Sequence, residues 1–172
     1  VIKGVFMPEV GRPDGDSIRF KPHNPEPIFR LRRRGFAPRL NANNGTIQLR
    51  FEGIDSMESR ANPEFSAAAT RNNLALCGVP EGIGEAEGYI LANQTGPNGR
   101  PIAFVFAGPS DFTDGEDIFL DTGMLERSVN YQQLAAGFAY PLFYDTLYDD
   151  LRVAMAERVK ALRTEPTGLW LH

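Results

Sequence analysis

Three charged side chains lie close together where an alternating segment of the sequence ends. Arg50, Asp55 and Glu58 fall within nine residues of one another. Apolar and polar residues alternate over 46–54, which predicts a half-buried strand with a polar face. That face carries Gln48, Arg50 and Glu52. Two carboxylates as close as Asp55 and Glu58 ordinarily require a cation or a shared proton between them. This segment is therefore the candidate site of chemistry.

The same two acids also fit a structural role. Asp55 followed three residues later by Glu58 matches a helix capping box. The residues that follow favour a later helix start, because Asn62, Pro63 and Glu64 supply a cap, a proline and an acid for the first turn. We predict that the helix begins at Asn62, which leaves Asp55 and Glu58 in a short loop without a capping role.

The distance between Arg50 and Asp55 sets a geometric condition for a shared site. A flat strand would separate the two residues by about 16 Å, since each residue advances the chain by about 3.3 Å. That separation is large for one site. We predict that the strand coils or bulges at Gly53, and that the long Arg50 side chain closes the remaining gap.

The composition is that of an ordinary folded domain. The chain has 172 residues, 42% of them hydrophobic, and a formal net charge of -4, so one domain with its own core is expected. The negative charge argues against nucleic-acid binding over the whole surface, but it is compatible with a small phosphate site. No apolar run approaches the roughly 20 residues that cross a bilayer. The single Cys77 excludes an internal disulfide and a cysteine zinc site.

Charged residues are concentrated in two segments. The basic segment contains Arg30, Arg32, Arg33, Arg34 and Arg39. The acidic segment contains Asp111, Asp114, Glu116, Asp117 and Asp121. Such runs are most often solvated surface, but a basic patch beside a phosphate site would steer a polyanion toward it.

The remaining pattern predicts an α+β fold with a mainly β core. Strands are expected at 2–7, from 17 onward, and at 46–54, 86–92 and 101–106, with helices at 63–77, 125–136 and 146–164. Two further segments, 21–44 and 108–121, are interpreted as insertions. The order of elements fits a five-stranded barrel of the oligonucleotide-binding type, the OB-fold, with three packed α-helices.

Four segments in this order resemble the staphylococcal nuclease (thermonuclease-like) family. The first two are 14–19, with its Asp-Gly-Asp opening, and 50–58, with an arginine followed by Asp55 and Glu58. The others are 98–106, in which Gly-Arg enters a strand, and the late positions 129–130, 137–139 and 168–170. Together they imply a single nuclease-like domain over residues 1–172, interrupted by the two insertions.

The resemblance implies a calcium-dependent nuclease. Such an enzyme hydrolyses phosphodiester bonds of DNA and RNA by direct attack of water and leaves 3′-phosphate ends. By the same resemblance, Asp16, Asp55 and the backbone carbonyl of Ser56 would bind one Ca²⁺ ion. Oxygen ligands of this kind suit Ca²⁺, which tolerates irregular geometry and keeps waters in its shell.

The remaining site residues act on the phosphate, the water and the base. The resemblance implies that Arg50 and Arg100 hold the scissile phosphate, and that Glu58 orients or deprotonates the attacking water. Two guanidinium forks would supply positive charge where the phosphate gains negative charge. Candidates for stacking on a base are Tyr140, Phe143 and Tyr144.

Two alternative functions fit the same residues. A catalytically silent member of the fold would serve as a nucleic-acid-binding or scaffolding module, although silent copies typically lose the acids or the arginines, and all six positions are filled here. An active member would act on a different phosphoester. The resemblance implies no membrane and no obligate protein partner. A calcium requirement favours an extracellular or periplasmic location without deciding it.

Overall fold

The structure is a computed structural model that describes residues 1–56, 61–142 and 149–164. Within these residues the fold is mixed α+β. The strands are β1 (Ile2–Phe6), β2 (Arg19–Pro22), β3 (Ile47–Gln48), β4 (Arg50–Phe51), β5 (Gly53–Asp55), β6 (Ala86–Thr95), β7 (Pro101–Ala107) and β8 (Tyr140–Leu142). The α-helices are α1 (Glu26–Phe29), α2 (Pro63–Leu76), α3 (Thr122–Arg127), α4 (Val129–Ala135) and α5 (Asp149–Thr164).

Six of the strands form a nearly closed, barrel-like sheet. Their order is β3-β2-β1-β6-β7-β4. The two outermost strands, β3 and β4, are consecutive pieces of one chain segment, so the sheet curls until its edges approach each other. The β4–β7 pair is parallel, with Arg50 opposite Ile102, and the other pairs are antiparallel. Large side chains that fill the interior include Phe6, Ile18, Phe20, Leu49, Phe51 and Ile90.

The predicted number of elements is wrong, although the mixed barrel architecture is confirmed. The single strand expected at 46–54 is three short strands, because successive residues bond to different neighbours: Leu49 N donates to Ile18 O and Glu52 N donates to Ala103 O. The short strand β8 was not expected. The helix predicted at 125–136 is divided into α3 and α4 at Ser128, which has an extended backbone and caps α4 through its side chain.

Gly53 is the point at which the site strand turns. Its φ is +80°, a conformation that glycine adopts without a Cβ penalty. Beyond it, β5 leaves the main sheet and pairs with β8, with Asp55 opposite Tyr140. The predicted bend at Gly53 is therefore confirmed. Glu52, which was expected on the exposed face, is instead buried, because the alternation of the strand is interrupted between β4 and β5.

Two helices begin or pack as the sequence predicts. The Asn62 side chain accepts a hydrogen bond from Phe65 N at 3.1 Å, so α2 begins at its predicted cap. In the last helix the sequence has an apolar stripe that begins at Leu147, and its members Leu151, Met155, Val159 and Leu162 are buried in α5. Leu147 and residues 168–170 lie outside the described residues. No helix in the described parts of the chain is long and apolar enough to cross a membrane.

Both insertions are tied to the barrel by backbone hydrogen bonds. In the basic one, Arg32 N donates to Asn93 O at 3.0 Å and Phe36 N donates to Pro97 O at 3.0 Å, so it lies along the β6–β7 hairpin. The acidic one lies at the start of β1, where Gly115 N donates to Val1 O at 2.7 Å. The two insertions are thus attached to different parts of the barrel, and they meet where the Arg30 guanidinium lies beside Gly115.

Replacing Gly53 by alanine is expected to lower the free energy of unfolding by about 1–3 kcal/mol, the cost of a positive φ for an L-residue. An added Cβ would also lie 2.9 Å from Met155 Cε, so the Met155 side chain has to shift. Gly108→Ala is the matched control for the contact with Met155. Gly108 also has a positive φ, of +86°, but no neighbour lies within 4 Å of the added atom, so this variant carries the backbone cost alone. Urea unfolding of the two variants checks this. A Gly53→Ala protein as stable as the parent would contradict the expected strain.

Candidate active site

Asp16 is presented by a tight turn over residues 14–17. The turn closes where Asp14 N donates to Ser17 O at 3.3 Å. The Asp14 carboxylate then accepts from Asp16 N at 3.1 Å and from the Ser17 hydroxyl at 2.8 Å. Asp14 is thus a turn former, as its Asp-Gly sequence indicates. Its hydrogen bonds fix the backbone from which the Asp16 side chain extends.

Two buried amides support this turn from the neighbouring helices. Asn73 of α2 donates to the carbonyls of Asp14 and Ser17 at 2.6 and 3.1 Å. Gln133 of α4 donates to the carbonyl of Gly15 at 2.8 Å. Neither residue was predicted from the sequence to support the site. Each amide directly precedes a leucine on a predicted helix, which was the available signal that it lies near the buried face. A buried amide has to find hydrogen-bond partners, here the carbonyls of the turn.

Arg50 joins two carboxylates that are distant in the sequence. Its guanidinium donates through Nη1 to Asp16 Oδ2, and through Nη2 to Asp55 Oδ1 at 3.2 Å. Asp16 Oδ2 also accepts from the backbone N–H of Ser56 at 2.9 Å. We call Asp16, Arg50, Asp55 and Ser56 the Arg50 cluster. It extends from buried to open surface, since the Asp16 side chain is 8% exposed and that of Asp55 is 54% exposed.

The Arg50 cluster carries more negative than positive charge. Burial raises the pKa of Asp16, the hydrogen bond and negative charge of Asp14 raise it further, and Arg50 and the Ser56 N–H oppose the change. Burial also raises the pKa of Asp55, where Arg50 opposes the shift and Asp16 adds to it. Two carboxylates thus contact one guanidinium, and the carboxylate of Asp14 lies beside Asp16. A further cation at this position would favour the ionised form of the acids.

Arg100 lies beside the Arg50 cluster at the start of β7. Arg50 and Arg100 line one small cavity of about 50 Å³, together with Pro97, Asn98 and Ile102. Arg100 is held at the end of the hairpin turn, where its carbonyl accepts from Gly96 N at 2.8 Å. Two guanidinium-bearing residues therefore meet at a single concave position next to Asp16 and Asp55.

Asn130 fixes the strand that carries Arg50. Its amide nitrogen donates to the carbonyls of Glu52 and Ala103 at 2.8 and 2.9 Å, and its oxygen accepts from Val105 N at 2.9 Å. Asn130 is fully buried in α4. The side chain thereby connects the β4–β5 junction to β7, the strand that Arg100 precedes. Both arginines are positioned by this connection.

The predicted site residues fall into two groups. Those that the structure brings together are Asp16, Arg50, Asp55, Ser56 and Arg100. Tyr140 is near them, since it pairs with Asp55 across β5 and β8 and is 38% exposed. The remaining predictions, Glu58, Phe143 and Tyr144, lie outside the described residues.

The oxygen donors of the cluster fit a calcium ion in type. Asp16 and Asp55 contact the same guanidinium, so their carboxylates reach a common position, and Ser56 follows directly. Calcium accepts such mixed carboxylate and carbonyl sets and completes its shell with water. Among residues 1–56, 61–142 and 149–164, no three His, Cys, Asp or Glu side chains are grouped as metal ligands. The predicted set contains only two side chains.

A larger cavity, of about 140 Å³, lies apart from the cluster and is bordered by Glu52. Its other walls include Leu91, Phe104, Leu120 and Leu151. The Glu52 side chain is buried among these groups, and burial raises its pKa to about 7. Neither arginine of the site lines this cavity. Glu52 is therefore a buried acid whose ionisation opposes folding.

The sequence has no significant match among protein-family models or among curated proteins. The resemblance to the staphylococcal nuclease family therefore depends on the four sequence segments alone. The geometry adds an independent observation, because the acids and arginines in three of those segments lie side by side.

Replacing Glu52 by glutamine is expected to stabilise the protein at neutral pH. Glu52 keeps its proton up to about pH 7 when folded, whereas the ordinary value is 4.5, so its burial lowers the free energy of unfolding as the pH rises between these values. The free energy of unfolding of Glu52→Gln should exceed that of the parent by an amount that grows to at most about 3 kcal/mol above pH 7. Chemical unfolding at pH 4 and pH 8 measures it.

Glu87→Gln, on an exposed part of β6, controls for the loss of one negative charge. If the free energies of unfolding of Glu52→Gln and the parent differ by the same amount at pH 4 and pH 8, the pKa of the buried carboxyl is not raised.

Proposed function

We propose that the chain is a calcium-dependent nuclease of the staphylococcal nuclease type, built on an OB-fold barrel. One observation carries the proposal: Arg50 contacts both Asp16 and Asp55 at the edge of a cavity that it shares with Arg100. Two acids and two arginines at one position are the groups that metal-assisted phosphodiester hydrolysis requires. The substrates would be DNA and RNA.

Asp16, Asp55 and the Ser56 carbonyl would hold the calcium ion. The excess of negative charge around Arg50 supports this assignment, because burial raises the pKa of both acids, and nearby negative charge, from Asp14 at Asp16 and from Asp16 at Asp55, raises it further. When bound, the ion supplies fixed positive charge beside the phosphate and favours deprotonation of a nearby water. Arg50 would exchange its carboxylate partners for phosphate oxygens as the two acids take up the ion.

Arg50 and Arg100 would clamp the scissile phosphate between them. A guanidinium can donate two parallel hydrogen bonds to phosphate oxygens, so two of them orient the group as well as neutralise it. Attack by water adds negative charge to those oxygens, and fixed donors stabilise that charge at the transition state. The small cavity that both arginines line is the position where the phosphate would lie.

The attacking water would be oriented or deprotonated by Glu58, which follows Asp55 by three residues. The oxygen of water bonds to phosphorus, the bond from phosphorus to the 5′ oxygen breaks, and that oxygen takes up a proton. The products are a 3′-phosphate and a 5′-hydroxyl. Tyr140, on the strand that pairs with Asp55, would contact the neighbouring nucleoside.

The expected result is cleavage of single-stranded DNA in millimolar calcium and none with chelator. Arg50→Ala and Arg100→Ala should each reduce the rate by about 10³- to 10⁵-fold, as removal of a catalytic arginine does in other phosphoryl transfers. Asp16→Ala should abolish the calcium response. Arg127→Ala is the matched control, because Arg127 is exposed on α3 and close to Tyr89, at the opposite end of the β6–β7 hairpin from Arg100.

End-group analysis of the products tests the direction of cleavage, which should leave 3′-phosphates. Circular dichroism of each variant confirms that its fold is intact. A parent protein that binds DNA but cuts none at any calcium concentration would replace this proposal with the silent binding module. Cleavage at the parent rate in Arg50→Ala would place the activity elsewhere.

A further inference from the structure

We propose that the exposed loop 32–39 is a binding surface for a single-stranded segment of nucleic acid that leads into the Arg50–Arg100 cavity. We call residues 32–39 the arginine loop. The path of the nucleic acid into the cavity rests on the proposed function, whereas binding of a single strand by the loop does not. Three features of the loop support this role: its position on the hairpin, its charge, and one exposed aromatic ring.

The arginine loop is fixed on the hairpin turn that precedes Arg100. Thr95 N donates to Arg32 O at 2.9 Å, and Phe36 N donates to Pro97 O at 3.0 Å. The packing is close, because a Cβ added at Gly99 would lie 2.6 Å from the carbonyl oxygen of Ala37. The loop is therefore held against the rim of the cavity that Arg50 and Arg100 line.

The charge of the arginine loop has no acidic partner among the residues that the structure describes. Its basic residues are exposed, and none forms an ion pair with any residue that the structure describes: Arg32, Arg33, Arg34 and Arg39. The acidic segment is attached elsewhere, at the start of β1, and the preceding Arg30 is directed toward it at Gly115. Four positive charges in a chain of net charge -4 would attract a phosphate backbone.

The loop also presents an aromatic ring to solvent. Phe36 is 76% exposed, more than any other large hydrophobic side chain in the described residues. Its neighbours Gly35 and Ala37 are small, so they leave the ring largely uncovered. A phenylalanine between arginines is the combination that binds single strands, in which bases stack on the ring and guanidiniums contact phosphates.

These features favour a single strand over a duplex. The bases of a duplex are stacked on each other and cannot lie on a protein ring, whereas an unpaired base can. The path from the cavity to the loop crosses Pro97 and Asn98, which are both exposed at the turn. A strand whose scissile phosphate lies between Arg50 and Arg100 would continue across this turn and place its next few nucleotides on the loop.

The test measures binding of a labelled 20-nucleotide single strand by fluorescence anisotropy, in chelator so that no cleavage occurs. The triple variant Arg32→Ala, Arg33→Ala, Arg34→Ala should reduce the slope of log Kd against log salt by about 2, since each lost phosphate contact removes about 0.7. The triple Arg→Lys variant keeps the charge and should retain most of the slope. Arg127→Ala should bind as the parent does.

Phe36→Ala should weaken binding of the single strand by about 5- to 150-fold, the range for loss of one stacked base. Phe36→Tyr keeps the ring and should bind close to the parent value. A duplex of the same sequence and heparin, a polyanion without bases, are the comparison ligands. The duplex and heparin should each bind Phe36→Ala as tightly as they bind the parent.

Cleavage is measured separately so that the two proposals can fail independently. The loop variants should cut a chromogenic mononucleotide diester at the parent rate, because it is too short to reach the loop, and should show a raised KM for the 20-nucleotide strand. A parent that cuts neither substrate would refute the nuclease but leave the binding test intact. Unchanged single-strand affinity in both loop variants would overturn the inference. Equal losses for single strand and heparin in Phe36→Ala would also overturn it, in favour of a general polyanion surface.

Discussion

The contact of Arg50 with Asp16 and Asp55 is the interaction on which the site depends. It joins a turn, a barrel strand and the last residue of β5 in the separate small sheet. Each of these parts has its own support. Gly53 supplies the bend that brings Asp55 back to Arg50, and buried amides from α2 and α4 hold the backbone on both sides. The charge cluster is therefore positioned by the packing of several elements.

The sequence predicted those features that depend on local chemistry. The bend at Gly53 followed from the spacing of Arg50 and Asp55, and the start of α2 followed from the Asn62 cap. Features that depend on distant partners were missed. The burial of Glu52 and the strand β8 arise from contacts with segments far along the chain, which no local pattern encodes. The division of the predicted helix at Ser128 has a local cause, since serine caps helices, but the same serine is also compatible with a continuous helix.

The acidic segment and the arginine loop are attached to different strands of the barrel. The acidic segment is bonded to the start of β1, and the arginine loop is bonded to the β6–β7 turn. Loops on a rigid barrel can change sequence with little effect on the core, which makes them suited to binding. Here the basic loop lies beside the two arginines and the acidic segment does not. This arrangement would direct a polyanion to the cavity although the chain has a net negative charge.

Calcium binding tests the central claim most directly, since it addresses the Arg50 cluster without requiring turnover. Isothermal titration calorimetry would compare the parent with Asp16→Asn, Asp55→Asn and the exposed control Glu87→Gln. The expected result is one ion per chain, with affinity reduced about tenfold or more in the first two variants and unchanged in the third. Equal calcium affinity in the parent and all three variants, or no binding to the parent, would contradict the account.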